Sequence, residues 1–114
     1  TVNSTNATLV YAEALTFGSI TQICVRWKNK NVITIPADGN ISGNVDVGTL
    51  DQDIYPYMYT AAHSNGDNAG AAWYTITNAG ELKLGAMEAT GSQRTVPANT
   101  EFWVWATYIS APAT

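Results

Sequence analysis

The chain has 114 residues, a net charge of -4 and only 12% charged side chains. Its length fits one domain with a single core, and its negative charge argues against a nucleic-acid partner, because phosphate binding needs a basic surface. No apolar run is long enough to span a membrane, so membrane insertion is not expected. Cys24 is the only cysteine, which excludes an intrachain disulfide and a cysteine metal site.

Short segments of alternating apolar and polar residues follow one another, joined by turns rich in Gly, Asn, Asp and Pro. This pattern is typical of an all-β domain, and no helical periodicity persists over a long window. Because the chain begins at Thr1 and not at Met, we expect a fragment of a longer protein. Residues 1–7 are expected to be a frayed lead-in from a shaft or linker, and 111–114 a tail. Strands are predicted at 8–15, 20–28, 32–35, 41–47, 55–63, 73–77, 81–84 and 101–109.

These eight strands predict one compact domain over residues 1–114, an antiparallel β-barrel or a jelly-roll-like sandwich. We expect strand 32–35 to pair back onto strand 20–28. The clearest element is a hairpin closed by Gly80, which tolerates a positive φ. The side chains predicted to face its core are Tyr74, Ile76, Leu82 and Leu84. Those predicted to face outward are Trp73, Thr75, Glu81 and Lys83.

The aromatic content is the most informative feature of the composition. Twelve Trp, Tyr and Phe residues exceed what one face of a small barrel needs. On the last strand, Trp103 and Trp105 share one face, and the apolar residues between and beyond them share the other. Exposed rings are then expected to be covered by a like subunit or by a sugar that stacks on them. The alternative, that all the rings lie in one monomer core, stays open.

Other chemical groups favour ordinary structural roles. The acids Asp46, Asp51 and Asp53 lie in turn-rich segments and are interpreted as solvated rather than as an acid/base pair. A triad of His63, Ser64 and Asp67 on one turn is not expected to hold catalytic geometry. Asp67 with its Asn neighbours offers oxygens to Ca²⁺, but Asx residues also stabilise turns by bonding their own backbone. We therefore expect no catalytic residue, no metal and no cofactor.

Five short motifs occur in a characteristic order. They are Gly39-Asn40-Ile41-Ser42, Thr49-Leu50, Ile54-Tyr55-Pro56, the hairpin from Tyr74 to Leu82, and Ala106-Thr107-Tyr108-Ile109. This order resembles the C-terminal head domains of receptor-binding proteins in tailed phages of Gram-positive bacteria, lactococcal siphophages above all. The resemblance covers roughly residues 15 to 110, and each motif is short.

The resemblance implies a homotrimer of compact β-barrel heads at the virion tail tip or baseplate. It also implies non-catalytic binding of a host cell-wall saccharide near the protomer boundary. In such heads the site lies on the outward side of the hairpin, which Trp73 and Thr75 occupy here. Relatives place His and Asp where this chain has a ring and a hydroxyl, so the resemblance does not define the sugar.

The first hypothesis is therefore a trimeric adhesin head that binds host saccharide. Its candidate site residues are Trp73, Thr75, His63, Asp67, Trp103 and Glu101. Trp73 is expected to stack on the sugar, with Trp103 and Glu101 reaching it across the protomer interface. The second hypothesis is a structural or protein-binding trimeric module, tumour-necrosis-factor-like or part of a baseplate, with no sugar site. A monomeric lectin and a small glycosidase are the remaining alternatives.

Overall fold

The computed structural model describes residues 1–66, 70–88 and 91–110, with the side chains at 42–44, 63–66 and 70 outside the description. All the described regular structure is β apart from one short 3-10 helix at Gln52–Ile54. Every named pairing is antiparallel, which confirms the predicted all-β class. The strands are β1 (Ala7–Phe17), β2 (Ile20–Asn29), β3 (Ile33–Ile35), β4 (Asn40–Thr49), β5 (Thr60–Gly66), β6 (Gly70–Ile76), β7 (Glu81–Met87), β8 (Arg94–Val96) and β9 (Glu101–Ile109).

Seven of these strands form one sheet in the order β1-β2-β9-β5-β6-β7-β4. The last strand in sequence, β9, therefore lies between the N-terminal hairpin and the β5–β7 meander. The edge strands of this sheet are β1 and β4, and in the described part of the chain no backbone ladder joins them to close a barrel. The two remaining strands, β3 and β8, form a separate ribbon. Its residues Ile33, Ile35 and Val96 are buried in the common core.

The N-terminal residues are held against β4, whereas the sequence predicted a frayed lead-in. The Thr49 N–H donates to Thr1 O at 2.7 Å, and the Asn3 N–H donates to Val47 O at 2.8 Å. Val2 forms an isolated antiparallel bridge with Gly48. A Cβ at position 48 would lie 2.4 Å from Thr1 O, so only glycine permits this approach. Residues 1–3 therefore cover the free edge of the later half of β4.

Three aromatic side chains form the centre of the core. Trp27 of β2 is fully buried and stacks on Phe102 of β9, with ring centroids 4.8 Å apart and an interplanar angle of 18°. Tyr74 of β6 meets the same indole edge-on at 6.4 Å. The Trp27 Nε1–H donates to Tyr74 Oη at 3.0 Å. The indole of β2 thus contacts side chains of both β9 and β6 in the core. Its buried N–H has a hydrogen-bond partner, as buried Trp N–H groups usually do.

The predicted strands agree with the structure best where alternation is regular. Strand 101–109 has the predicted bounds, and the hairpin side chains have the predicted burial. Three expectations about the strands were wrong. The strand predicted at 55–63 begins only at Thr60, as β5. The strand at 33–35 pairs with β8 and not with β2, and β8 itself lies in the segment 85–99, for which no strand was predicted. Three-residue strands are too short to show a period in the sequence.

The loop that joins β6 to β7 depends on Gly80. Its φ is +80°, and its N–H donates to Thr77 O at 2.9 Å, which confirms the predicted role of this glycine in closing the hairpin. The Thr77 hydroxyl accepts the Glu81 N–H at 3.1 Å. The ring of Tyr55 lies against the open side of the glycine, where an added Cβ would be 2.4 Å from a ring carbon. The turn therefore requires glycine for two independent reasons.

Tyr108 of β9 is a buried phenol whose hydroxyl donates to Ile54 O at 2.6 Å. Burial raises the pKa of Tyr108 to about 12, whereas an unfolded tyrosine ionises near its ordinary value of 10.0. The phenol therefore contributes stability that is fully present below about pH 10. That contribution is lost as the pH rises through the folded pKa.

We expect the melting temperature to fall between about pH 10 and 12, in part through Tyr108. Tyr108→Phe should melt lower at neutral pH, because it loses the bond to Ile54, but its melting temperature should fall less steeply over this alkaline range. Thermal melts followed by circular dichroism at a series of pH values measure the effect. Tyr57→Phe, which removes an exposed phenol, is the matched control and should retain the wild-type slope. If the melting temperature fell equally steeply with pH in all three proteins, the alkaline loss of stability could not be assigned to Tyr108.

Candidate functional site

The strand register brings two tryptophans of the outer face of the seven-stranded sheet close together. Trp105 of β9 is the cross-strand partner of His63 on β5, and His63 is in turn the partner of Trp73 on β6. Adjacent strands lie about 4.8 Å apart, so the two tryptophan backbones are separated by about 10 Å. On its other side, Trp105 is paired with Cys24 of β2. We call this line of positions across β2, β9, β5 and β6 the tryptophan row.

Both tryptophans of the row are open to solvent. Trp105 is 50% exposed and Trp73 is 40% exposed. Only four of the twelve aromatic residues are buried in the described core, and they are Trp27, Tyr74, Phe102 and Tyr108. The prediction of surplus outward rings is therefore confirmed, and the alternative of one enclosed aromatic core is wrong. Two neighbouring exposed rings make the outer face a candidate interaction surface.

A shallow depression of about 340 Å³ lies beside Trp105. Its lining combines an aromatic ring with an acid and an amide, the chemistry that recognises the apolar face and the hydroxyls of a sugar. The Tyr11 hydroxyl donates to the Glu13 carboxylate, which fixes one wall of the depression. This contact is the leading cause that raises the pKa of Tyr11 above its ordinary value. The lining residues are Glu13, Leu15, Gln22, Ile23, Cys24 and Trp105.

Trp103 and Glu101 lie farther along β9, at the edge of this surface. Trp103 is half-buried and is paired in register with Arg26. Arg26 Nε donates to Glu101 Oε1 at 2.8 Å, and Arg26 Nη2 lies 2.5 Å from the same oxygen. The carboxylate of Glu101 is thus already engaged within the protomer. Its predicted role, reaching the saccharide across a protomer interface together with Trp103, stays a prediction.

Thr75 lies on the same face of β6 as Trp73 and is exposed, as predicted. Its cross-strand partners are Ala61 and Lys83, and the Lys83 ammonium lies 3.6 Å from Glu81 Oε2. Thr75 therefore extends the tryptophan row with a small hydroxyl close to a cation. This arrangement is compatible with hydrogen bonding to a ligand that lies across β6.

Two predicted site residues lack a described side chain. His63 has a backbone position between the two tryptophans, but its side chain is outside the description. Asp67 lies outside the described residues, and so do the triad and the calcium site that were weighed on it. Among the described residues, no group of three or more His, Cys, Asp or Glu side chains is arranged to hold a metal ion.

Sequence reasoning missed the residues that surround Trp105. Glu13 and Gln22 come from β1 and β2, and they reach Trp105 because β9 pairs with β2 rather than with its neighbour in sequence. Alternation placed Trp105 on the same face as Trp103, but it did not show which face of the strand is outward or which residues surround Trp105. The sheet order was needed, and a single sequence carries little signal for non-local pairing.

A second exposed surface lies at one end of the same sheet. Phe17 pairs with Ile20, and Ile20 pairs with Ile109, all on the outer face. The Tyr57 N–H donates to Ile109 O at 2.8 Å, which brings the loop before β5 to this end. We call this surface the sheet-end patch, and its exposed side chains are Phe17, Ile20, Tyr57, Met58 and Ile109.

No protein-family model matches the chain, and no curated protein sequence matches it significantly. Within the described ranges, no helix is long and apolar enough to cross a membrane.

Proposed function

We propose that this chain is a non-catalytic, saccharide-binding head that attaches a phage tail tip to the cell wall of a Gram-positive host. The observation that carries the proposal is the tryptophan row, in which exposed Trp105 and Trp73 flank the backbone position of His63 on an antiparallel sheet. The resemblance of the motif order to receptor-binding heads supports the same function.

The chemistry of the row suits a carbohydrate better than other small ligands. An indole ring covers the apolar C–H face of a pyranose, while acceptors and donors at its rim bond the hydroxyls. Trp105 has both kinds of group beside it, since Glu13 and Gln22 line the same depression. We therefore assign the main stacking role to Trp105, with Trp73 and Thr75 extending the surface for a longer glycan.

Titration with purified cell-wall polysaccharide from Gram-positive strains, followed by tryptophan fluorescence and calorimetry, tests the proposal. Trp105→Ala should weaken binding at least about tenfold, since buried aromatic anchors of an interface are commonly worth about 2 kcal/mol or more. Trp73→Ala should weaken binding of long glycans more than that of short ones. Glu13→Gln should weaken binding through a lost charged acceptor.

Tyr59→Ala is the matched control, because it removes an exposed ring that is not part of the tryptophan row. It should leave the affinity unchanged. If the Trp105→Ala variant bound every glycan with wild-type affinity, the depression beside Trp105 would not be part of the binding site. Turnover of an oligosaccharide by the wild-type chain would contradict the non-catalytic assignment and favour the glycosidase alternative.

A second candidate function, a protein-binding or assembly module, is favoured by the sheet-end patch. Monomeric proteins seldom expose this many neighbouring large apolar side chains. If assembly is the function, Met58→Asp should abolish it while Trp105→Ala leaves it intact. The homotrimer implied by the resemblance stays a prediction, and multi-angle light scattering of the wild-type chain measures it.

A further inference from the structure

The tryptophan row continues onto β1, where it ends in a carboxylate. Glu13 of β1 is the cross-strand partner of Cys24, and Cys24 is in turn the partner of Trp105. At about 4.8 Å from strand to strand, the backbones of Glu13 and Trp105 are about 10 Å apart. All three residues line the depression of about 340 Å³. The small side chain of Cys24 therefore leaves room for a ligand between an acid on one side and an indole on the other.

Glu13 has no cationic partner among the described residues. The two salt bridges of the described chain join Arg26 to Glu101 and Lys83 to Glu81. Arg26 lies on β2, but its guanidinium donates to Glu101 of β9, which is on the far side of β2 from β1. The negative charge of Glu13 is therefore not compensated by a neighbouring side chain of the described chain.

The carboxylate of Glu13 is restrained and still has hydrogen-bonding capacity. The Tyr11 hydroxyl donates to its Oε2 atom and is its one hydrogen-bond partner among the described residues. An ionised carboxylate has two oxygens with about four acceptor sites, so most of these sites remain for a ligand. A ligand that covers this charge without a positive group of its own would remove it from water at a cost. The depression is thus matched to a ligand that carries a cation.

We propose that the depression selects a glycan with a free primary amino group, a hexosamine whose ring stacks on Trp105 and whose ammonium group bonds Glu13. This inference rests on the proposed function, because it specifies the sugar that the same site binds. The ammonium is stabilised there in two ways. It donates charge-assisted hydrogen bonds to the carboxylate. It is also attracted to the face of the indole, the aromatic ring that binds cations best.

The same groups disfavour the two other kinds of sugar that a cell wall offers. A neutral N-acetylated sugar covers Glu13 without compensating its charge. A phosphate-bearing glycan brings a like charge to Glu13 and to a chain whose net charge is -4. The described lining of the depression contains no Lys or Arg side chain that could receive an anion. The charge of the site therefore distinguishes sugars that stack equally well on Trp105.

Calorimetric titration with two tetrasaccharides of the same backbone tests this selection. One is a glucosamine tetrasaccharide, and the other is its fully N-acetylated form, in which each amine is replaced by a neutral amide. At about pH 6 an amine carries its proton and a glutamate carboxylate does not. The wild-type chain should bind the amino form at least about tenfold more tightly, since a hydrogen bond to a charged group commonly contributes that factor.

Glu13→Gln should remove most of this preference and leave the affinity for the N-acetylated form close to wild type. Glutamine keeps the size of the side chain and an acceptor oxygen but not the charge, and position 13 is exposed, so the fold should be unaffected. Asp53→Asn is the matched control, because it removes one exposed carboxylate that does not line the depression. It should keep the wild-type preference. Trp105→Ala should weaken the binding of both tetrasaccharides.

The inference and the proposed function fail in different ways. If the wild-type chain bound both tetrasaccharides equally and Trp105→Ala weakened both, the selection of an amine would be wrong but the saccharide site would stand. An equal loss of preference in Glu13→Gln and Asp53→Asn would assign the preference to net charge and overturn the inference. Failure to bind the glucosamine form would also overturn it. The saccharide site itself is wrong only if Trp105→Ala also leaves the affinity for cell-wall polysaccharide unchanged.

Discussion

Trp27→Ala should lower the free energy of unfolding by about 3–5 kcal/mol, the cost typical of deleting a large buried aromatic side chain. The indole is fully buried, stacks on Phe102 at 4.8 Å and donates to the hydroxyl of Tyr74. Removing it leaves a cavity between strands from the two halves of the sheet. Urea denaturation followed by far-UV circular dichroism measures the loss.

Trp105→Ala is the control for this prediction, because it deletes the same side chain from the outer face of the neighbouring strand. With half of its surface already exposed, Trp105 should contribute less than about 1 kcal/mol to stability, as surface substitutions usually do. Trp27→Phe keeps a ring in the core, so its loss in the free energy of unfolding should lie between those of Trp27→Ala and Trp105→Ala. Similar losses for Trp27→Ala and Trp105→Ala would contradict the assignment of Trp27 to the centre of the core.

Gly80→Ala should cost about 2–5 kcal/mol, from two additive causes. The φ of +80° is a left-handed conformation that costs an alanine about 1–2 kcal/mol. The new methyl would also lie 2.4 Å from the ring of Tyr55, and displacing packed side chains costs typically about 1–3 kcal/mol. The same denaturation experiment gives the combined effect.

Gly18→Ala separates these causes, since Gly18 has a φ of +57° and no atom within 4 Å of an added Cβ. It should show the conformational cost alone, about 1–2 kcal/mol. Gly80→Ala combined with Tyr55→Ala should recover part of the loss by making room for the methyl. If Gly18→Ala and Gly80→Ala proved equally destabilising, the contact with Tyr55 would have no energetic weight.

The sequence predicts the local structure of this chain well. Regular alternation gives the bounds of β9 and the two faces of the hairpin around Gly80, because side chains alternate sides in any β-strand. The surplus of aromatic rings likewise follows from counting, since a small interior accommodates few of them. The outward orientation of Trp73 could therefore be predicted, whereas for Trp105 alternation gave only a face shared with Trp103.

Strand pairing and the details of the site could not be predicted. Whether β2 meets β3 or β9 depends on contacts between distant segments, and local periodicity is the same in both cases. The depression beside Trp105 depends on that choice, because Glu13 and Gln22 reach the ring only through the β2–β9 pairing. The engagement of Glu101 by Arg26 has the same origin, since these residues lie 75 positions apart in the chain.

The position of β9 in the sheet has a consequence for the order of folding. The β1–β2 hairpin and the β5–β7 meander can each form from neighbouring segments, but in the described seven-stranded sheet β9 is the strand that pairs with both. Until β9 is in place, the unpaired edges of β2 and β5 have no ladder partner. A chain truncated before residue 101 would therefore lack the strand that joins the two halves of the sheet.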